Sequence, residues 1–450
     1  MRLLLDVGYF LGALVASPWI LYRLVKTGGW RRLPRRFGAH LGSSTEGSIW
    51  LHGSSAGEVS LLRPLVERLE RDLPGVPIVV STNTSTGLAA ASKAYSKHRV
   101  VLFPLDLTFV VRRFFRRLDP RLVVIVESEL WPNFLLAASR RGVPVAVLNG
   151  KMSEKSRRAY ARTRIVPRAL ANVALLAVQS TEHAERFLAL GVPAGRVHVT
   201  GNMKYDLTAD TGRGGERLEM RTQLGYAEDD VVVIGGSLHP GEPDALARAF
   251  LALERDCRAA LIVVPRYPSD AADVEEALAK LGLRTVRKTA LDRGEAGAPG
   301  RGAVLVVDTV GELGRLYSAA DVAFVGGSLF FRGSNKGGHN LMEPAIRGVA
   351  TLFGPYNFSF KETVKDLLRA DAGVEVADAE QLRRSLRALV TDPRRRTALG
   401  ERARQVVLRG RGATERNYTL LRPLLESGIG CLQPLPIERT MPRASGKPDS

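Results

Sequence analysis

Cysteine is nearly absent from this 450-residue chain: Cys257 and Cys431 stand alone and far apart. That excludes a disulfide scaffold, a zinc ribbon and a CxxC redox site, and it fits a reducing compartment. The seven histidines are scattered, with no HExxH or HxH pair, and no DxD triplet occurs. A dedicated metal site is therefore not expected. The Walker pattern GxxxxGK[ST] is missing, as is a GxGxxG after the first strand-like run. Both absences count against a phosphate-loop kinase and a simple dinucleotide dehydrogenase. No repeat of solenoid period is found either.

The chain has an excess of positive charge. Lys and Arg number 65 against 46 Asp and Glu, a net +19, while 45% of residues are hydrophobic. That balance rules out a mainly disordered chain, and the length suits two or three domains. Nucleic acid, anionic lipid and phosphorylated substrates are the partners such a charge suggests. One apolar run helps to choose. Val7 to Tyr22 carries no charge over 16 residues and is followed by Arg23, Lys26, Arg31, Arg32, Arg35 and Arg36. A spanning helix needs about 20 apolar residues, and Pro18 would kink it, so the length is borderline. The basic cluster after the run argues for a membrane anchor with the body of the protein on the cytoplasmic face. An interfacial helix and a cleaved signal remain the alternatives.

Beyond residue 47, β-rich runs alternate with helical patterns. The first set comprises 48–52, 76–82, 99–104, 122–128, 143–150, 174–180 and 196–202; the second comprises 231–237, 260–266, 303–309, 322–328 and 349–355. Such alternation predicts parallel βαβ units and two doubly wound α/β halves with a cleft between them. The expected organisation is an anchor and basic segment (1–36), an N-terminal Rossmann-like domain (37–207), a linker (208–228), a C-terminal Rossmann-like domain (229–432) and a disordered tail (433–450).

Ligands of open parallel sheets sit beyond the carboxyl ends of the strands. One strand there runs into GSSAGEVS, bringing Glu58 near a helix start, and another is followed at once by Glu127. A carboxylate directly after a buried strand must be solvated or paired. Helix capping or ion pairing with arginine explains each acid as well as chemistry does. The second half offers Gly-rich turns, with Lys204 and Arg266 as nearby charge, which favour phosphate. Carboxylates on one wall and a nucleotide-phosphate site on the other suit an inverting sugar transfer from a nucleotide donor. Three basic or polar stretches have blander readings: 111–117 as a solvated helix face, 394–416 as a surface helix, and Asn83, Thr84 and Thr86 as a cap.

The ordered motifs HGSSAGE (52–58), ESELWPN (127–133), NGKMSEKS (149–156), VTGNMKYD (199–206), SLHPGE (237–242), VPRYP (264–268), DTVGEL (308–313), FVGGS (324–328), GGHNLMEP (337–344) and FGPYNFSFKE (353–362) carry a resemblance. Together they make the chain resemble the 3-deoxy-D-manno-octulosonic acid (Kdo) transferases, family 30 glycosyltransferases of lipopolysaccharide assembly with the GT-B fold. The resemblance implies CMP-Kdo as donor, a lipid A precursor (lipid IVA) as acceptor, and attachment to inner-membrane anionic lipids. It implies no metal or other cofactor and no nucleic acid. Glu58 matches the general base, and Glu127 and Lys204 match groups that stabilise the transition state. Pro265, Arg266, Val310, Gly311, Glu312, Asn340, Leu341, Met342 and Glu343 match the CMP-binding segments. The sequence departs from the family pattern in a longer loop at 329–336, in Tyr267 where histidine is common, and in Pro243 after Glu242. Two rival readings stay open: a GT-B transferase using another nucleotide sugar, and a non-catalytic protein that binds anionic lipid.

Overall fold

The computed structural model of the chain describes residues 6, 9, 17–26, 29–163, 165–207, 215–253, 257–333 and 337–426. Most of the apolar run at 7–22, part of the linker (208–214) and the tail at 433–450 lie outside the described residues. Among those described, no helix is long and apolar enough to cross a membrane.

The chain divides into two compact units, residues 1–207 with 411–450 and residues 208–410. In the first, β1 (Ser48–His52), β2 (Ile78–Thr82), β3 (Arg99–Leu102), β4 (Pro120–Val126), β5 (Val145–Gly150), β6 (Leu175–Val178) and β7 (Val197–Val199) form one parallel sheet. Its order is β3-β2-β1-β4-β5-β6-β7. In the second, β8 (Val231–Leu238), β9 (Ala259–Pro265), β10 (Thr285–Arg287), β11 (Val304–Val306), β12 (Val322–Val325), β13 (Ala350–Phe353) and β14 (Val374–Glu375) are ordered β10-β11-β9-β8-β12-β13-β14. In each sheet the first strand is interior and the chain reverses direction beside it, between β1 and β4 and between β8 and β12. This is the doubly wound arrangement, and it locates the expected ligand crevices.

Val, Ile and Leu fill β1, β4, β8 and β9 because helices cover both faces of each sheet. Trp50 on β1 is fully buried, meets Phe134 edge-on at 5.0 Å, and donates its indole N–H to Ser81 at 2.8 Å. Such aromatic pairs add about 0.5–1.5 kcal/mol beyond area burial. β10 and β14 were not anticipated. They are three and two residues long at sheet edges, too short to give a periodic signal.

Two expected boundaries are corrected. The linker at 208–228 contains helix Gly215–Leu224, whose Met220 and Leu224 are buried in the second unit and whose Arg221 pairs with Asp321 at 2.6 Å. The C-terminal domain does not extend to 432. Helix Ala413–Glu426 buries Ala413, Tyr418, Leu421 and Leu425 against Val59, Leu61 and Leu65 of the first unit. Asp206 fixes its start by accepting from the amides of Gly412 and Thr414, both at 2.6 Å. The polar Arg-rich face that looked continuous from 394 to 416 is thus two helices in two units. Over 111–117 the solvated-face reading holds: Val111, Phe114 and Phe115 are buried, while Arg112, Arg113, Arg116 and Arg117 are exposed.

Candidate active site

In the first unit, β1 ends at His52 and the chain turns through Gly53 into helix Ala56–Leu61. A Cβ on Gly53 would lie 2.8 Å from the Glu58 carbonyl carbon, so only glycine lets the strand exit pass this close to the helix. Ser55 caps the helix: its hydroxyl accepts from the Glu58 amide at 3.4 Å and donates to Glu58 Oε1 at 3.0 Å. The Ser54 amide donates to Glu58 Oε2 at 2.9 Å. The capping reading of Glu58 is therefore correct locally, and it holds the carboxylate in one orientation.

Burial, and second the charge of Glu127, push the Glu58 carboxyl up to about 7. A carboxyl with that affinity is half-ionised near neutrality, where a base is most effective. Glu127 follows β4 with φ +67°, a left-handed conformation costly for a non-glycine residue. Its amide donates to the Leu148 carbonyl at 2.8 Å, and its carboxylate takes Lys151 at 2.6 Å and Lys204 at 3.8 Å. The Lys204 ammonium is held below its ordinary range by burial, against the attraction of Glu127. Asn149, also left-handed at φ +54°, accepts the Met203 amide at 2.9 Å and so locks the turn that carries Lys204. All three catalytic candidates, Glu58, Glu127 and Lys204, thus come together at the β1/β4 crevice.

Lys151 was not singled out from sequence, although it lies in the NGKMSEKS motif directly after β5. Glu129, an acid that the turn at Pro132 is expected to aim with Glu127, is not among the catalytic candidates. It accepts from Trp131 Nε1 at 2.8 Å and Asn83 Nδ2 at 3.0 Å, and Asn83 accepts from Arg36 at 3.2 Å. Thr84 caps its helix as expected, accepting from the Gly87 amide at 3.0 Å, but Asn83 belongs to the rim of this site. His52 is buried and its imidazole is pushed down to about 3 by desolvation, so it stays neutral.

In the second unit the expected donor residues occupy carboxyl ends of strands. Pro265 closes β9, and the Arg266 amide donates to Leu238 while its guanidinium lies 5.1 Å from the Tyr267 ring centre. After β11, Val310 is 83% exposed, Gly311 takes φ +91°, and Glu312 accepts from Thr309 and lies 3.4 Å from Lys288. Asn340 donates to Glu343 Oε1 at 3.0 Å and accepts the Met342 amide at 3.1 Å. Burial raises the Glu343 carboxyl above its ordinary range. Leu341 and Met342 are buried. Glu242, 1% exposed, was read only as part of a motif. Its carboxylate accepts from the amides of His239, Gly327, Ser328 and Leu329 at 2.7–3.0 Å, and it ties β8 to the loop after β12. Among the described residues no cluster of three or more His, Cys, Asp or Glu side chains could hold a metal ion.

Comparison with known proteins decides the family. Residues 31–207 match the family model described as 3-deoxy-D-manno-octulosonic-acid transferase (kdotransferase). The 3-deoxy-D-manno-octulosonic acid transferase of Haemophilus influenzae is 30% identical over 427 residues, 92% of this chain and 98% of that one. The chain belongs to the Kdo transferase family. A second relative of the same description, from Bordetella pertussis, is 31% identical over 425 residues, covering 90% of this chain and 94% of that protein. Among solved structures, Acinetobacter baumannii MurG superposes with a TM-score of 0.53 at 16% identity over 84% of this chain and 99% of MurG. The UDP-GlcNAc 2-epimerase of Neisseria meningitidis does so with 0.55 at 12% identity over 83% of this chain and all of that one. These likenesses identify the GT-B type fold, two Rossmann-like domains. As a Kdo transferase the chain is a glycosyltransferase of lipopolysaccharide biosynthesis, and the segments HGSSAGE and ESELWPN at the β1/β4 crevice lie within the matched residues 31–207.

Proposed function

We propose that this Kdo transferase moves Kdo from CMP-Kdo to lipid IVA, with Glu58 as general base. The observation that carries the reading is a carboxyl with its affinity raised to about 7, held by Ser54 and Ser55 beside Glu127. Ionised Glu58 takes the proton of the acceptor's sugar hydroxyl as that oxygen attacks the anomeric carbon. The bond from that carbon to the phosphate oxygen breaks, its electron pair leaves with CMP, and the anomeric centre inverts. Glu127 keeps Lys151 and Lys204 close by pairing with both, so positive charge is present where an anion develops. Arg266, the backbone around Gly311, Glu312, Asn340 and Glu343 would take the nucleotide, the arginine through phosphate and the acids through hydroxyl or amino hydrogens. No step assigns work to a metal.

The acceptor reading also draws on the surface. Helix Ser17–Lys26 exposes Trp19, Tyr22 and Val25, and Trp30 and the Arg-rich turn follow it. Exposed aromatics beside arginines suit the headgroup region of an anionic inner-membrane leaflet on its cytoplasmic face. The test is a mass-shift assay with purified protein, CMP-Kdo generated in situ and tetra-acylated lipid A precursor, with and without chelator. Product carrying added Kdo is expected in both samples. Competition by CMP but not UDP supports the donor, and competition by UDP alone would overturn it.

A further inference from the structure

The crevice between β8 and β12 holds an imidazole pair that the proposed mechanism leaves unused. His239 follows β8 and His339 lies in the loop after β12. Their rings are nearly parallel, 11° apart, with centres 5.2 Å apart and the two Nε2 atoms at 3.0 Å. At that separation one Nε2 carries a proton and the other must offer a lone pair. The chain makes room for this contact. Gly327, at φ +68°, would place a Cβ 2.8 Å from His339 Cδ2 and 3.1 Å from His239 Cδ2. Glu242 fixes both sides by binding the amides of His239 and Gly327.

The charges around the pair are unbalanced. Arg332 from the loop after β12 and Arg266 from the end of β9 both act on the two rings. The acids in range are Glu242 and Asp270, which act on His239, and Glu242 already accepts four backbone amides. The Tyr267 ring stands edge-on to His239 at 6.4 Å. Desolvation and the arginines keep both imidazoles less basic than usual, His339 down to about 4. The site therefore holds two arginines and a neutral imidazole pair, an arrangement suited to an oxyanion.

We infer that His239 and His339, with Arg266 and Arg332, form a receptor for an anionic oxygen group of the donor, and that the imidazole pair takes up a proton from solvent as the anion binds. The inference rests on the reading of this unit as the donor site. A second proton cannot be accommodated while Nε2 faces Nε2, since two N–H groups would then point at each other. An arriving carboxylate or phosphate oxygen accepts from both, parts the rings and stabilises the imidazolium. The donor offers two such groups, the phosphate of the nucleotide and the carboxylate of the sugar acid.

Calorimetric titration in two buffers of different ionisation enthalpy measures the proton uptake. With the unmodified chain at pH 7, binding is expected to take up a fraction of a proton approaching about one per site. Uptake with CMP alone assigns the phosphate, and uptake only with CMP-Kdo assigns the carboxylate. Replacing both imidazoles, His239→Gln with His339→Gln, retains hydrogen-bonding amides but leaves nothing in the pair to ionise, so that double variant should bind with little or no uptake. Arg332→Gln, at an exposed position, should weaken binding about tenfold without disturbing the fold. Equal affinity and equal uptake in both variants, folded by circular dichroism, would overturn the inference alone. If the unmodified chain bound neither CMP nor CMP-Kdo, the donor assignment would fail and the inference with it.

Discussion

The two units share a strand order around their first strands, yet the crevices at β1/β4 and β8/β12 are chemically opposite. The first collects carboxylates: Glu127 adds to the effect of burial on Glu58 and is itself paired with two lysines. The second uses its buried acid, Glu242, to bind backbone amides, and sets arginines beside a pair of partly buried imidazoles. The topology therefore supplies a position and not a chemistry. Burial, and then a neighbouring carboxylate, raise the affinity of Glu58 for protons, as a base acting near neutrality requires; burial, and then the arginines, lower that of the imidazoles, as suits a site that takes an anion.

The largest expected effect breaks the comparison on the first side. Glu58→Gln keeps the side-chain shape but removes the base, and turnover should fall at least about a hundredfold while CMP binding in the other unit stays unchanged. Near-normal turnover would reject Glu58 as base. On the second side, Glu242→Ala leaves four amides, three of them buried, without their acceptor. Denaturant unfolding should show a loss of several kcal/mol, about 3 or more, since each unsatisfied buried group costs about 1–3 kcal/mol. A loss below about 1 kcal/mol would mean that water replaces the carboxylate.

The interaction between the two acids has its own signature. Glu58 must be ionised to accept a proton, so kcat/KM should rise with pH and level off above about 7. Glu127→Gln removes a neighbouring negative charge, and the residual activity should then level off at a lower pH. An unmoved limb would show that desolvation alone sets the Glu58 affinity. The linkage to stability has a definite sign. Because the folded-state value is raised, Glu58 favours folding below its ordinary value of 4.5, and that contribution is lost as pH rises through about 7.

How much of this was legible in sequence depended on the length of the signal. β1, β4, β8 and β9 are buried on both faces, so their apolar runs stand out, and the acids and arginine that follow them could be located. Edge strands of two or three residues carry no such run. The return of helix Ala413–Glu426 to the first unit was hidden because amphipathic periodicity marks an apolar face without saying which core receives it. Lys151, the role of Glu242 and the His239–His339 pair were missed for a related reason. Each is defined by a partner that is distant in sequence or by backbone amides, which spacing cannot reveal. A rule available beforehand would have found two of them, since both histidines flank the crevice where the second sheet reverses.

A pair of glycines gives the finest test of the contrast. Gly327 is fixed by sterics: its positive φ and its closeness to both imidazoles mean that Ala should cost roughly 1–3 kcal/mol and part the rings. Gly57, in the first turn of the helix that carries Glu58, has no such constraint. A Cβ there would meet nothing nearer than the Ser55 hydroxyl at 4.0 Å, and the position is exposed. With space available and no positive φ, Gly57→Ala should leave the fold intact or stabilise it by about 0.4–1 kcal/mol through reduced freedom of the unfolded chain. If the acceptor sugar lies against this turn to bring its hydroxyl to Glu58, the added methyl will raise KM for the acceptor while CMP affinity is unchanged and stability does not fall. A variant that is more stable and unchanged in KM would place the acceptor on the Glu127 side of the crevice instead. One methyl group thus separates an empty space kept for substrate from a glycine that is only tolerated.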